Sequence, residues 1–236
     1  LHGNENQQTT GESRLEQGCY FMLFDQRSEI ARQSAVRRWL SNLFNPDNLL
    51  QQAAPVHQRF WSPARGMLPD WQHTRYESLT EKPADLTQLT LCWYGSHIEH
   101  LAIVRIISPL LASHGIRLIS KEVSYQQWFN GDASADLWLG SCNFTSPLDW
   151  SVFAQICEMP LFHHCLGDEL ARSLPFWQQK KLNTEQWYQQ LHNRHILLPL
   201  FHHWLTLQGQ RSMRGIRMNA LGWFDFKSAW FVPPEL

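Results

Sequence analysis

The apolar positions along this chain switch between two spacings, and the switches lay out an alternation of strands and helices. Six apolar and aromatic residues at 19–24, CYFMLF, end at Asp25 and have the length of a buried strand. From Ser34 the spacing widens: Val36, Trp39, Leu40 and Leu43 share one helical face, and Arg37 and Arg38 fall off it. Asn45-Pro46-Asp47 stops that helix and starts another, with Asn45 as cap, Pro46 in the first turn, and Leu49 and Leu50 as a short apolar face. Residues 55–85 carry Pro55, Pro63, Pro69 and Pro83 and little periodicity, which predicts a long ordered loop anchored by Phe60, Trp61 and Trp71.

Residues 89–94, LTLCWY, alternate and run into the small-residue turn Gly95-Ser96-His97. A helix over 98–114 follows, stopped by Gly115 in a left-handed conformation, and then a strand at 116–120. Together these form a β-α-β unit. A short helix at 125–129 leads to a strand at 135–139; helices are predicted at 148–158 and at 184–194, the latter with Thr184 as N-cap. Residues 196–201, ILLPLF, read as extended because Pro199 interrupts any helix. The polar residues 1–17 form a loosely held arm, leaving 18–236 as one α/β unit whose aromatic tail at 216–231 ends in Pro233-Pro234. The sequence holds no internal repeat.

The stretch 136–150, DLWLGSCNFTSPLDW, begins as a strand and opens at Gly140 into small hydrogen-bonding side chains. In open α/β sheets, ligands bind in the crevice outside the carboxyl ends of the strands. Gly140, Ser141, Asn143 and Thr145 are therefore candidate ligand contacts, the alternative being a turn whose side chains satisfy themselves. Trp93, Tyr94, Ser96 and His97, at the neighbouring strand end, would face the same crevice, with core packing the alternative for the two aromatic residues. Trp138 joins these candidate ligand contacts, with core packing the favoured reading over a stacking platform.

Composition narrows the function classes. Lys and Arg number 20 against 21 Asp and Glu, so no global basic field points to DNA binding by this segment itself. Arg32, Arg37 and Arg38 read as a solvated face, whereas Arg211, Arg214 and Arg217 suit an anionic ligand or a partner domain. The longest apolar stretch, 98–111, is broken by Glu99, His100, Arg105 and Pro109, and the chain opens without a basic segment and apolar run, so neither a membrane span nor a signal peptide is expected. Five cysteines, an odd number without CxxC spacing, favour reduced thiols in a cytoplasmic protein. Opening on Leu1, the sequence reads as an excerpt of a longer protein. The adjacent pairs His163-His164 and His202-His203 point to different faces, and His192 with His195 and Glu185 would make only a weak metal site, so no metal or cofactor is expected. Hydrolytic motifs are missing, and Cys142 with His97 is the one nucleophile and base pair that the crevice offers. Binding rather than catalysis is the expectation.

Two resemblances extend this reading. Residues 36–40, VRRWL, followed seven residues on by Asp47, resemble the helix pair of family 5 bacterial solute-binding proteins, the dipeptide and oligopeptide receptors of ABC transporters. The Pro63–Pro69 segment, the β-α-β unit, Trp138-x-Gly140 and Pro147-x-x-Trp150 are similar in order. This likeness implies one lobe of a periplasmic-binding-protein-like fold of class II, the dipeptide/oligopeptide-binding type, closing on its ligand by a hinge. Residues 63–71, PARGMLPDW, and 219–231, NALGWFDFKSAWF, resemble the carboxyl-terminal half of SgrR-type transcriptional regulators. That resemblance implies a cytoplasmic protein with a first lobe and a DNA-binding winged helix upstream, responding to a small solute such as a sugar phosphate. In peptide-binding members, the loop after the Trp138 strand carries an Asp that holds the ligand's ammonium. Alignment on Pro147 puts Asn143 there, and a one-residue slip puts Cys142 or Phe144 there, none of them acidic. A neutral amide suits hydroxyls, carbonyls or phosphate oxygens better than an ammonium. The alternatives are the substrate-binding component of a peptide-type ABC transporter and a lobe that serves only protein contacts.

Overall fold

A computed structural model describes residues 13–72, 74–144, 149–166, 168–206, 213–218 and 224–232. In chain order its elements are β1 (Ser13–Leu15), β2 (Gly18–Phe24), α1 (Ser34–Leu43), α2 (Pro46–Gln52), α3 (Pro55–Phe60), β3 (Trp61–Pro63), β4 (Gln88–Tyr94), α4 (Ile98–Ser113), β5 (Arg117–Val123) and α5 (Tyr125–Asn130). They continue with β6 (Leu137–Asn143), α6 (Asp149–Glu158), α7 (Pro160–Leu166), α8 (Asp168–Gln178), α9 (Thr184–Asn193), β7 (Leu197–Thr206) and the short strands β8 (Met213–Arg214), β9 (Arg217–Met218), β10 (Phe224–Asp225) and β11 (Trp230–Phe231).

The main sheet runs β1-β7-β2-β6-β4-β5, with β3 also paired to β7. β4 lies parallel to β5 and β6, and β2 runs antiparallel to β6 and β7. Because helices cover both faces, the central strands are apolar at successive positions rather than alternating, and all seven residues of β2 are buried. Phe21, Leu23, Cys92, Tyr94 and Trp138 face a core closed by α5, α6, α7 and α9. Tyr20, Met22, Phe24, Leu91, Trp93 and Leu139 face a second core closed by α1 and α4.

Local chemistry sets the element ends. The Asn45 side chain accepts from the Asp47 amide at 3.0 Å, with Pro46 in the first turn of α2, as the sequence predicts. Gly115 has φ +71° after α4, the left-handed stop. α5 is only six residues long, yet Ser124 and Gln127 form a capping box at its start and Gly131 turns left-handed at its end. This clamp fixes Trp128, which is 1% exposed.

Several expectations are corrected. Residues 55–85 are not one loop: Pro55 begins α3 in the first helical turn, where its missing N–H costs nothing, and β3 follows and pairs with β7. Ser13–Leu15, read as the end of the arm, form β1 on the edge of β7. The strand expected at 135–139 continues to Asn143, because β2 supplies ladder partners for Gly140, Ser141, Cys142 and Asn143. Arg37 is buried, its guanidinium bonded to the carbonyls of Ala31, Arg32 and Arg194, acceptors that periodicity cannot show. The cap of α9 is Asn183, not Thr184, accepting from the Gln186 amide at 3.0 Å. α7 and α8 went unread because their apolar faces are interrupted by His163 and His164 in the one and by Pro175 in the other. Thr145, Pro147, Arg211, residues 219–223 and Pro233-Pro234 lie outside the described residues.

Candidate functional site

The parallel run of β4, β5 and β6 brings their carboxyl ends to one edge of the sheet, where β2 contributes its amino end because Gly18 pairs with Asn143. The turn Gly95-Ser96-His97 and the first turn of α4 lie over the end of β4. Tyr94 organises this edge. Its ring packs against His100 and Trp128, each with centroids 4.6 Å away, and lies 5.3 Å from Tyr125 and 5.7 Å from His97. Its hydroxyl meets the Ser141 hydroxyl at 3.0 Å, a contact in which either oxygen can donate. Burial pushes the Tyr94 phenol up to about 12, so it stays protonated at neutral pH.

His100 is fully buried beneath Tyr94. Burial lowers its pKa to about 4, outweighing the backbone hydrogen bond that favours the cation, so the ring is neutral at pH 7. Its Nδ1 lies 3.0 Å from the Tyr94 carbonyl, which can only accept; the proton therefore sits on Nδ1 and leaves Nε2 as an acceptor with no hydrogen-bond partner among the described residues. Tyr20 stands edge-on to His100 at 5.8 Å and tilted to Trp61 at 6.5 Å, and Trp61 is stacked between His57 and Phe201.

Opposite Tyr20 and Gly18 on β6 are Ser141 and Asn143. A Cβ on Gly18 would lie 2.5 Å from Asn143 Oδ1, so glycine is what lets that amide lie across β2. Glu16 donates its backbone N–H to the His203 carbonyl at 2.9 Å. Its carboxyl pKa is raised, first by burial and then by the nearby Glu99. Burial followed by Glu99 and Glu16 likewise raises the Tyr20 phenol. Two carboxylates thus stand at the same edge as the polar groups of β6.

The sequence-predicted residues divide in this structure. Tyr94 meets Ser141 and His97, while Ser96 follows the end of β4 and Asn143 ends β6 opposite Gly18; Ser96, His97 and Asn143 are exposed. Trp93 is turned to the other face from Tyr94 and donates its indole N–H to Ser120 Oγ at 2.8 Å. Trp138 is fully buried, donating to Asp25 Oδ2 at 2.9 Å, and Gly140 is covered by Trp128. Cys142 is 2% exposed with its thiol pushed by burial up to about 12, so no thiolate faces His97. His192 and His195 have rings 6.2 Å apart, and among the described residues no three metal-binding side chains gather. Sequence reasoning missed Glu16, Tyr20, Trp61, Glu99 and His100, whose approach to one another depends on the order in which the strands pair. The edge offers an amide, hydroxyls, an imidazole and carboxyl groups to a polar solute.

No family model matches the chain. Among curated proteins, the HTH-type transcriptional regulator SgrR of Yersinia enterocolitica is 51% identical over 235 residues, and that of an Escherichia coli strain is 48% identical over 235 residues. Both alignments take in 100% of this chain and 42% of the relative, so the chain spans about two fifths of the curated relatives it matches. Among solved structures, the pheromone receptor PrgZ, described with its mode of peptide binding, superimposes with a TM-score of 0.72 at 12% identity, over 96% of this chain and 51% of that one. The fold is that of the peptide-binding, family 5 solute-binding proteins, of which this chain makes about half, as one lobe does. No described helix is long and apolar enough to cross a membrane.

Proposed function

We propose that this chain, homologous along its whole length to part of the HTH-type transcriptional regulators SgrR, is the small-solute-sensing lobe of such a regulator. What supports this reading is the strand-end edge where Tyr94 meets Ser141 and His97, with Ser96 just past β4 and Asn143 ending β6, together with the resemblance-based alignment on Pro147 that gives Asn143 the place of the carboxylate in peptide-binding members. An amide gives hydrogen bonds without charge, which fits hydroxyls, carbonyls or phosphate oxygens, and a sugar phosphate has all that this asks. The solute would be held between this lobe and a second one upstream. A closed pair of lobes binds it better than an open pair, so the solute shifts the population toward closure and moves an upstream DNA-binding domain, in the cytoplasm where transcription occurs. Thr145, outside the described residues, belongs to the same proposed contact set. The role is binding and not catalysis.

A second reading, the substrate-binding component of a peptide-type ABC transporter, is favoured by one observation: Glu16 and Glu99 put carboxyl groups at this edge, and a carboxylate is what an ammonium needs. Thermal denaturation of the full-length protein against sugar phosphates, free sugars and dipeptides separates the two, since any solute that binds the native state raises the midpoint. A rise with a sugar phosphate that Asn143→Asp abolishes supports the sensing lobe. A rise with dipeptides alone replaces that reading by the peptide receptor.

A further inference from the structure

Where β5 ends, an aromatic ring is held in place and left open. Ser124 and Gln127 cap each other at the start of α5, the Ser124 amide donating to Gln127 Oε1 at 3.0 Å and the Gln127 amide to Ser124 Oγ at 3.2 Å. Tyr125, between them, therefore has a fixed backbone. Its ring is stacked on Trp128 at 6.0 Å and 28°, and stands nearly perpendicular to Tyr94 at 5.3 Å and 82°. Two buried rings thus support it from within, yet it is 53% exposed. An aromatic ring oriented in advance offers contact area at little cost in side-chain entropy. Glu122, three residues earlier and exposed, leans over the turn after β4, where a Cβ on Gly95 would collide with its Oε1. Its carboxylate makes no hydrogen bond or ion pair among the described residues.

We propose that Tyr125 and Glu122 receive the hydroxyl-bearing ring of a carbohydrate, so that the solute lies with its neutral ring at this edge and any phosphate turned away from it. This rests on the solute-sensing reading above and adds to it which end of the solute this lobe holds. A saturated sugar ring has an apolar C–H face and a rim of hydroxyls, and small-molecule sites match such a division with aromatic walls and a few placed polar groups. The exposed part of the Tyr125 ring suits the C–H face. A carboxylate only accepts, so Glu122 takes protons from hydroxyls, while the Ser141 hydroxyl beside Tyr94 and the Asn143 amide at the end of β6 can both donate and accept. A phosphate is the poorer occupant. Glu122 joins Glu16 and Glu99 at this edge, and an anion brought near three carboxyl groups is repelled.

The test is calorimetry of the full-length protein with a hexose 6-phosphate and with an aromatic dipeptide, in wild type, Tyr125→Ala, Tyr125→Phe and Glu122→Gln. For the hexose 6-phosphate, loss of the stacking ring in Tyr125→Ala should weaken affinity about tenfold, and Tyr125→Phe should match wild type. Glu122→Gln should weaken it several-fold, because a neutral amide is the weaker acceptor for hydroxyls. The sign of that change decides the orientation. Tighter or unchanged binding in Glu122→Gln overturns the proposal, since relief of repulsion would put the phosphate at this edge. Glu122→Gln keeps the side chain's size, so this arm stands even where Tyr125→Ala proves unstable. Equal affinity in wild type and Tyr125→Ala overturns the platform and leaves the sensing reading in place. Binding of the dipeptide alone, lost in Tyr125→Ala, assigns the ring to a peptide side chain and overturns the proposal. A wild type that binds no hexose 6-phosphate removes the sensing reading for this class of solute, and the proposal falls with it.

Discussion

Replacing Gly140 by alanine places a methyl group inside the indole that covers β6. The new Cβ would stand 2.1 Å from Trp128 Cζ2, 2.8 Å from Cε2 and 3.0 Å from Cη2. Carbon atoms in contact rest at about 3.5–4.0 Å, so the indole must retreat by roughly 1.5 Å. It has little room to do so. Trp128 is 1% exposed, its helix is clamped by the Ser124 and Gln127 capping box, and its ring is packed against Tyr94 at 4.6 Å and Phe21 at 6.3 Å. Forcing a methyl group into a filled core costs about 1–3 kcal/mol. For a chain of 236 residues, about 2–4 °C is lost per kcal/mol, so a fall of roughly 2–12 °C is predicted. Urea unfolding followed by tryptophan fluorescence measures it. Trp128→Leu removes the offending atoms, so in the double variant the Gly140→Ala penalty should shrink by about 1 kcal/mol or more, as contacting residues couple. A Gly140→Ala protein within about 0.5 kcal/mol of wild type, or strict additivity with Trp128→Leu, would refute the packing argument. Because the same indole supports Tyr94, the variant should also weaken the Tyr94 to Ser141 contact and with it solute binding.

Other outcomes follow from the same geometry. His100 has a folded pKa near 4 against 6.5 for the free group, so between those values the unfolded chain binds more protons and stability falls as pH drops from about 6.5 toward 4; urea midpoints at pH 7.5 and pH 5 should differ less in His100→Gln than in wild type. Asp25 is 1% exposed, and although burial opposes its charge, the bonds from Arg27, Trp138 and the Arg27 amide hold its carboxyl below the usual value of 3.8. Its contribution is therefore complete above about pH 4 and is lost as pH falls through the depressed value, and Asp25→Asn should cost about 1–3 kcal/mol at pH 7 and flatten the acid limb of a stability profile. Asn45→Ala removes the cap of α2 and should cost about 1 kcal/mol in the same urea assay, whereas Asn45→Asp should be near neutral. Tyr94→Phe should lower solute affinity several-fold in calorimetry while changing stability by about 0.5–1.5 kcal/mol.

Much of the sheet could be read in advance because its strands are covered on both faces and so appear as uninterrupted apolar runs. β2, β4 and the Gly115 stop of α4 needed nothing beyond that and local backbone chemistry. Where tertiary partners decide, the reading failed for definite reasons. Ser141 and Asn143 have side chains that suit a loop, and only the β2 ladder makes their backbone a strand. Pro55 breaks a periodic pattern yet opens a helix. The candidate site shows the same division. Tyr94 and Ser141 were placed at one crevice from strand-end position alone, and they meet, although 47 residues separate them. Trp93 was grouped with Tyr94 because they are neighbours, but in a strand neighbours face opposite sides, and it packs beneath α4. Glu16, Trp61 and Glu99 come from β2's approach, β3 and α4, three segments that only the order β7-β2-β6-β4 draws toward Tyr20.

The central claim is that this strand-end edge receives the solute. Hydrogen exchange of the full-length regulator, read peptide by peptide with and without a saturating sugar phosphate, addresses it most directly. Added protection is predicted at 94–100 and 141–144, around the Tyr94 to Ser141 contact, and its loss in Asn143→Asp. Protection confined to other parts of the chain, or none at concentrations that raise Tm, would contradict the account.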